Sequence, residues 1–292
     1  LATGRLKPLV VLGNDDGHDG MFEELFDRGD GLGAISTVER ARILNVPLSV
    51  GVIRDAVDQP GYLTGAQLQS IASSGNFVHT HGGDDLSSSN FSTELLAYSD
   101  GSPVPPFVEG DSASYNADYI RSNFGAENAK YHVMPRNAIR NSGESWQKAL
   151  AALMDDSFNF TTSNAPGFQN CDPVGLSGDA DAGWYCVGRM GIESGSSNLE
   201  IPTYNNLINN TIDGGIIKDG QHCWLYFHDI IPGAGGGAPP TTSAQYYVGD
   251  MANLLHELAD RRDQGLIDLV TAEGFYKRLL ATGVPAGMSY GA

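Results

Sequence analysis

The chain is poor in cysteine, in positive charge and in long apolar runs, and each shortage excludes something. Three cysteines in 292 residues cannot make a disulfide-stapled scaffold, since at most one bridge can form. Cys171 and Cys186 flank a Gly/Asp-rich loop that such a bridge could close, leaving Cys223 as a thiol in an apolar strand. That pairing suggests an oxidising compartment. Only 17 Lys and Arg stand against 35 Asp and Glu, a formal charge of −18. A field of that sign repels phosphate backbones and anionic lipid surfaces, so nucleic acid is not an expected partner. No run of about 18 apolar residues is available to span a bilayer, and no basic-then-apolar segment opens the chain, so no membrane insertion is expected. Internal repeats, coiled-coil heptads and a Walker-type phosphate loop are missing too.

What is present is a globular composition, 41% hydrophobic and 18% charged, with 37 glycines that imply many turns. The length suits one α/β barrel with a single core, so residues 1–292 are read as one domain. Leu1-Ala-Thr-Gly4 runs almost directly into a strand, which suggests a processed secreted protein or a domain cut from a longer chain. Apolar runs bounded by turn residues alternate with segments of helical period, the rhythm of repeated βα units on a mainly parallel sheet. Strands are predicted at Pro8–Leu12, Val46–Ile53, Asn76–His81, Tyr131–Pro135, Phe158–Ser163 and Cys223–Phe227. Helices are predicted at Ser36–Leu44, from Thr64 to near Gly75, at Ser145–Met154 and, as the last one, at Tyr246–Gly265. Thr64 with Gln67 three residues on is a capping-box pattern. Long Gly/Ser/Asn/Pro-rich stretches, Ser87–Ser114 and Asn164–Asp181, read as loops.

Three strand ends carry the residues capable of chemistry. The first strand runs into Gly13-Asn-Asp15-Asp16-Gly17, two adjacent carboxylates at the end where α/β barrels place active sites. Adjacent ionised acids repel, so a site holding both normally needs a cation, with one Asp as ligand and the other as base. Asp-Gly also favours a simple turn. The second strand end is His79-Thr-His81-Gly-Gly-Asp84-Asp85, whose His and Asp suit zinc or a similar divalent ion. Residues two apart point the same way along a strand, so His79 and His81 could both face the barrel mouth, with Asp85 returning on the next turn. A buried core histidine is the plainer reading of one of them. The third is Trp224-Leu-Tyr-Phe-His228-Asp229, which delivers a His able to act as general acid.

With these residues in view, the chain resembles the polysaccharide deacetylases of carbohydrate esterase family four, in order over nearly its whole length. Val10 to Gly17 is similar to the first motif, T-F-D-D-G, with Gly13-Asn14 in place of Thr-Phe. The resemblance implies a distorted (β/α) barrel of about seven parallel strands, with Asp15 as catalytic base and Asp16 as metal ligand. The second motif, H-[ST]-x-x-H, supplies two metal-binding histidines. Counted from Gly75, its first falls on His81 and its second on Asp85, which implies His81, Asp85 and Asp16 as ligands. Counted from His79-Thr80, the second position is Gly83 and a ligand is lost. The first register is preferred, with His79 as an alternative or additional ligand. Val133-Met-Pro135-Arg136-Asn137 resembles a divergent R-x-P-Y motif, so the Arg136 amide is the implied oxyanion donor and its side chain could orient Asp15 or meet substrate; Arg140 is the other candidate. Trp224–Ile230 resembles L-x-x-x-H-D, making His228 the implied general acid.

The resemblance implies a metal-dependent hydrolase that removes N- or O-linked acetyl groups from an extracellular polysaccharide or oligosaccharide. Zinc is the first choice of metal, although two carboxylates with one imidazole make a harder site that other divalent ions would suit. An acidic chain disfavours polyanionic glycans, so neutral or amino-sugar polymers fit better. Two other readings stay open: a glycan-binding barrel that has lost catalysis, and a glycan-cleaving hydrolase on the same barrel.

Overall fold

A computed structural model describes residues 7–81, 113–133, 160–163, 177–179, 184–192, 204–236, 240 and 244–282. The chain enters through β1 (Leu9–Asn14), a short helix α1 (Gly20–Glu23) and an antiparallel hairpin, β2 (Leu25–Asp27) with β3 (Ala34–Ser36). Then come α2 (Thr37–Ile43), β4 (Leu48–Val52), α3 (Gly65–Ser73), β5 (Phe77–His81), α4 (Ala113–Phe124), β6 (Tyr131–Val133) and β7 (Phe160–Ser163). β8 (Ser177–Asp179), β9 (Trp184–Gly188) and β10 (Met190–Gly191) precede a run of π-helical turns, Leu207–Lys218. The chain then forms β11 (Cys223–Phe227), β12 (Asp229–Ile231), β13 (Gln245–Tyr247), α5 (Val248–Asp263), β14 (Asp268–Leu269) and α6 (Ala272–Thr282).

The main sheet runs β10-β11-β1-β4-β5-β6-β7-β9-β8. Every pairing along it is parallel except β8 with β9. β9 and β10 are two halves of one stretch of chain, interrupted only at Arg189. The first half pairs with β7 and the second with β11, so the ring of seven strands is closed by the chain itself. This is the distorted parallel barrel expected from the sequence.

β1, β4, β5, β6 and β11 are buried on both faces, which is why the longer of these segments read as continuous apolar runs. Val10, Leu12, Val50, Val78, Leu225 and Phe227 face outward and pack with Leu68, Ile71, Leu254 and Leu258 of the surrounding helices. Leu9, Val11, Phe77, Tyr131, Trp224 and Tyr226 face inward, and Phe275, Tyr276 and Leu279 of α6 close the barrel at its strand N-terminal end. A helix beyond Tyr246–Gly265 was not expected; α6 follows it and plugs the barrel.

The capping signals hold. Ser36 Oγ accepts from the Glu39 amide at 3.2 Å. Thr64 Oγ1 accepts from the Gln67 amide at 3.2 Å while Gln67 Oε1 accepts from the Thr64 amide at 2.8 Å. Caps of this kind are worth about 1 kcal/mol each. The β2–β3 hairpin, unforeseen in the sequence, is tied down by the buried Arg40, which pairs with Asp30 and donates to the Phe26 carbonyl at 2.9 Å. His256 of α5 adds a 2.9 Å contact to Asp30. No helix among the described residues is long and apolar enough to cross a membrane. The predicted helix Ser145–Met154 and Cys171 lie outside the described residues; Cys223 is buried in β11.

Candidate active site

Strand register assembles the site at the C-terminal rim. Gly13 and Asn14 align with Tyr226 and Phe227, so the next residues, Asp15 and His228, leave adjacent strands side by side. Two bonds hold that register past the strand ends: the Asp15 amide donates to the Phe227 carbonyl at 2.8 Å, and Asn14 Nδ2 donates to the His228 carbonyl at 2.6 Å. The chain then turns through two left-handed residues, Asp16 (φ 64°) and Gly17 (φ 73°). Asp tolerates that region better than most side chains, and Gly adopts it freely. The turn aims both carboxylates at the rim.

Asp15 is 1% exposed and is paired with Arg189, which is itself buried. Burial by itself would raise the Asp15 carboxyl, but the Arg189 guanidinium, with His228 and His81 beside it, holds it below the usual carboxylate range. Arg189 also lies over the Tyr226 ring, 4.2 Å from its centroid. Asp15 is therefore ionised at neutral pH and fixed in orientation.

Asp16 faces imidazoles instead. His81 Nε2 lies 3.2 Å from Asp16 Oδ1; His228 Nε2 lies 3.7 Å and His18 Nε2 3.9 Å from Oδ2. His228 Nε2 is also 3.9 Å from Asp15 Oδ2, and its side chain, 21% exposed, opens toward solvent as that of His18 does.

Asp15, Asp16, His81 and His228 thus come together as the sequence suggests. His79 shares the inward face with His81 but sits one layer deeper, its ring edge-on to Trp224 and its Nδ1 3.2 Å from the Thr80 carbonyl oxygen. Burial pushes its pKa down to about 4. The structure does not bring it into the group around Asp16. Asp85, Arg136 and Arg140 lie outside the described residues. The guanidinium on Asp15 belongs to Arg189, a residue sequence reasoning did not single out.

Gly13 explains the departure from the family's first motif. A Cβ on Gly13 would stand 2.6 Å from Trp224 Nε1, so the indole occupies the space that a threonine side chain would need beneath Asp15.

A divalent cation is the group the sequence motifs imply, and the donors present bear on its fit. Two donors on a tetrahedral zinc stand about 3.4 Å apart, given ligand distances near 2.1 Å; His81 Nε2 and Asp16 Oδ1 are 3.2 Å apart. Although that close, Asp16 Oδ1 is buried without a hydrogen-bond partner, as is His81 Nδ1, so the contact is not aligned as a hydrogen bond. Their chemistry and spacing fit two positions on one ion. Among the described residues no group of three His, Cys, Asp or Glu side chains is gathered tightly enough to hold a metal.

Comparison with solved structures places the fold. A Mycobacterium smegmatis protein described as a polysaccharide deacetylase superposes with a TM-score of 0.57 at 11% identity, covering 100% of this chain and 96% of that one. A Pseudomonas aeruginosa PAO1 protein of the same description gives 0.50 at 9% identity, covering 94% and 92%. The chain has the polysaccharide deacetylase fold. No family model matches the sequence, and no curated protein matches it in sequence. At such identities the likeness reaches the barrel and not the side chains, so the roles of Asp15, Asp16, His81 and His228 rest on their geometry.

Proposed function

We propose that this protein is a metal-dependent hydrolase that removes acetyl groups from a polysaccharide or oligosaccharide, with zinc the first candidate ion and an extracellular glycan the expected substrate. One observation carries the reading. A paired, ionised carboxylate (Asp15), a second carboxylate matched to an imidazole at ligand spacing (Asp16 with His81) and a partly exposed imidazole (His228) meet at the C-terminal rim of a deacetylase-type barrel.

Asp16 and His81 would hold the ion, with Asp85 the third ligand expected from the sequence. A bound divalent cation supplies Lewis-acid polarisation of the acyl oxygen and lowers the pKa of water. Asp15, fixed by Arg189, takes a proton from the attacking water. His228 stands between Asp15 and solvent, placed to give a proton to the departing amine or alcohol as the acyl bond breaks, so that one water is consumed and acetate is released. The Arg136 amide remains the proposed oxyanion donor. The charge of −18 favours a neutral or amino-sugar polymer.

The test is acetate release from acetylated oligosaccharides, with and without chelator, by wild type and Asp16→Ala, alongside metal content by mass spectrometry. Chelation and Asp16→Ala are each expected to lower acetate release at least ~100-fold. Glycan binding without metal or acetate would make the chain a binding barrel; new reducing ends would make it a glycan-cleaving enzyme.

A further inference from the structure

A cavity of about 270 Å³ opens between β10 and the π-helical turns, lined by Met190, Asn210, Thr211, Asp219 and Gln221. It is separate from the group around Asp15 and Asp16. Met190 aligns with Leu225 and belongs with it to the core layer outside the barrel wall, and Asp219 and Gln221 precede β11 whereas His228 follows it. The cavity therefore runs along the outside of the barrel toward the strand N-terminal end. π-Helical turns are rare and recur at functional sites. Here Gly214 and Gly215 keep the helical wall clear. A Cβ on Gly215 would stand 3.2 Å from Gln221 Oε1, and one on Gly214 3.1 Å from the Asn209 carbonyl oxygen.

The lining spends donors within the protein and leaves acceptors over. The Thr211 hydroxyl donates to Met190 Sδ at 3.9 Å, and Asn210 Nδ2 donates to Asn206 Oδ1 at 3.3 Å. The Thr211 lone pairs and Asn210 Oδ1 are left to accept. Gln221 Oε1 is buried with no hydrogen-bond partner, a costly state until a donor reaches it. Asp219 supplies the lining's one charge, and among the described residues no Lys, Arg or aromatic side chain lines the cavity. Such a surface repels an anion and offers no ring for stacking. It suits a molecule with several O–H donors and a positive charge beside Asp219. The volume falls just under the roughly 300–1,000 Å³ of drug-sized sites, which suits one sugar ring, and the Met190 thioether gives its C–H groups an apolar contact.

We propose that this cavity is a binding site for a single amino-sugar unit, whose hydroxyls and ammonium donate to Gln221, Thr211 and Asp219. It stands apart from the proposed catalytic group and does not depend on the metal-dependent reading above.

The test isotope-labels the methionine methyl groups of the full chain, identifies the Met190 signal by its loss in Met190→Leu, and follows it by NMR while glucosamine, N-acetylglucosamine or ethanolamine is added. Glucosamine is expected to move the Met190 signal saturably, in wild type and in Asp16→Ala alike. Gln221→Leu keeps the bulk and removes the acceptor, and is expected to weaken glucosamine binding ~10-fold. Asp219 is exposed, so Asp219→Asn leaves the fold alone; it is expected to weaken glucosamine binding ~3-fold and to leave N-acetylglucosamine unchanged. Ethanolamine, an ammonium with one hydroxyl, is expected to bind at least ~10-fold more weakly than glucosamine. A Met190 signal that glucosamine does not move, or moves equally well in Gln221→Leu, would overturn the site and leave the catalytic reading standing. Ethanolamine binding as tightly as glucosamine would overturn the sugar assignment, and N-acetylglucosamine binding as tightly would overturn the role of the ammonium.

Discussion

The two ends of the barrel interior are built from the same strands and have opposite chemistry. At the N-terminal end the inward positions are Leu9 and Val11 on β1, Phe77 on β5 and Trp224 on β11, sealed by Phe275 and Tyr276. Four residues further along the same faces stand Asp15, His81 and His228, with Arg189 entering from the junction of β9 and β10. Side chains alternate with a period of two, so one register serves both ends, and a slip of one residue would send the carboxylates outward and the helix-facing aliphatics inward. The apolar end fixes the position of the polar end. The converse does not hold, because charges crowded at the rim contribute stability only where each is matched.

Perturbing the matched end should have the largest effect. Arg189→Met leaves Asp15 buried without its counter-charge and is expected to cost about 3–5 kcal/mol by urea unfolding of the metal-free protein at pH 7. In wild type Asp15 titrates below its unfolded value, so its stabilisation is present above about pH 4 and is lost as pH falls further. Without Arg189, burial dominates and raises the carboxyl, so the gap between variant and wild type should widen as pH rises above about 4. A constant gap would mean that Arg189 acts by packing alone.

The junction between the two ends should respond less. Gly13→Thr drives a side chain into the Trp224 indole and is expected to cost about 1–3 kcal/mol by overpacking. Trp224→Leu frees that space, so the double variant should lose less stability than the two single losses added together. Strict additivity would show that Gly13 is not reserved for the indole.

The smallest effect belongs to the apolar end. His222 Nδ1 accepts from the Leu9 amide at 3.0 Å, and burial lowers its pKa. The imidazole is neutral in the fold, so the unfolded chain binds the extra proton once pH falls below about 6.5. Stability then drops by up to about 1.4 kcal/mol per pH unit, until the folded pKa is reached. His222→Gln can keep an acceptor but cannot titrate, and should remove that part of the slope below about pH 6.5. An unchanged slope would assign it to other groups, of which the buried His132, also held well below its ordinary value by burial, is the first.

The same contrast explains what could be read from the sequence. The apolar strands were legible because both faces are buried and the runs are continuous; Cys223–Phe227 is found where expected, and β1, β4 and β5 within two residues of their predicted ends. Asp15, Asp16, His81 and His228 were legible because each follows such a run. The depth of His79 was not, since a period of two gives the face of a residue and not its layer. Arg189 left no trace, because its partner is 174 positions away and the strand halves beside it are short and glycine-flanked. Nor could the hairpin at Leu25–Ser36 be seen: its residues are exposed or half-buried except Ser36, and a buried arginine rather than an apolar stripe anchors it.

The interruption at Arg189 also sets an order of events in time. Asp15 directly follows β1, and the cation it needs lies on the stretch that joins the last gap in the ring. Contacts between segments so distant along the chain form late, after loop-closure entropy has been met by nearer pairings. Until the gap closes, the carboxylate has no guanidinium beside it and keeps its proton more readily. The ionised, oriented carboxylate is therefore a product of the finished barrel, and partly assembled chains should lack the proposed activity.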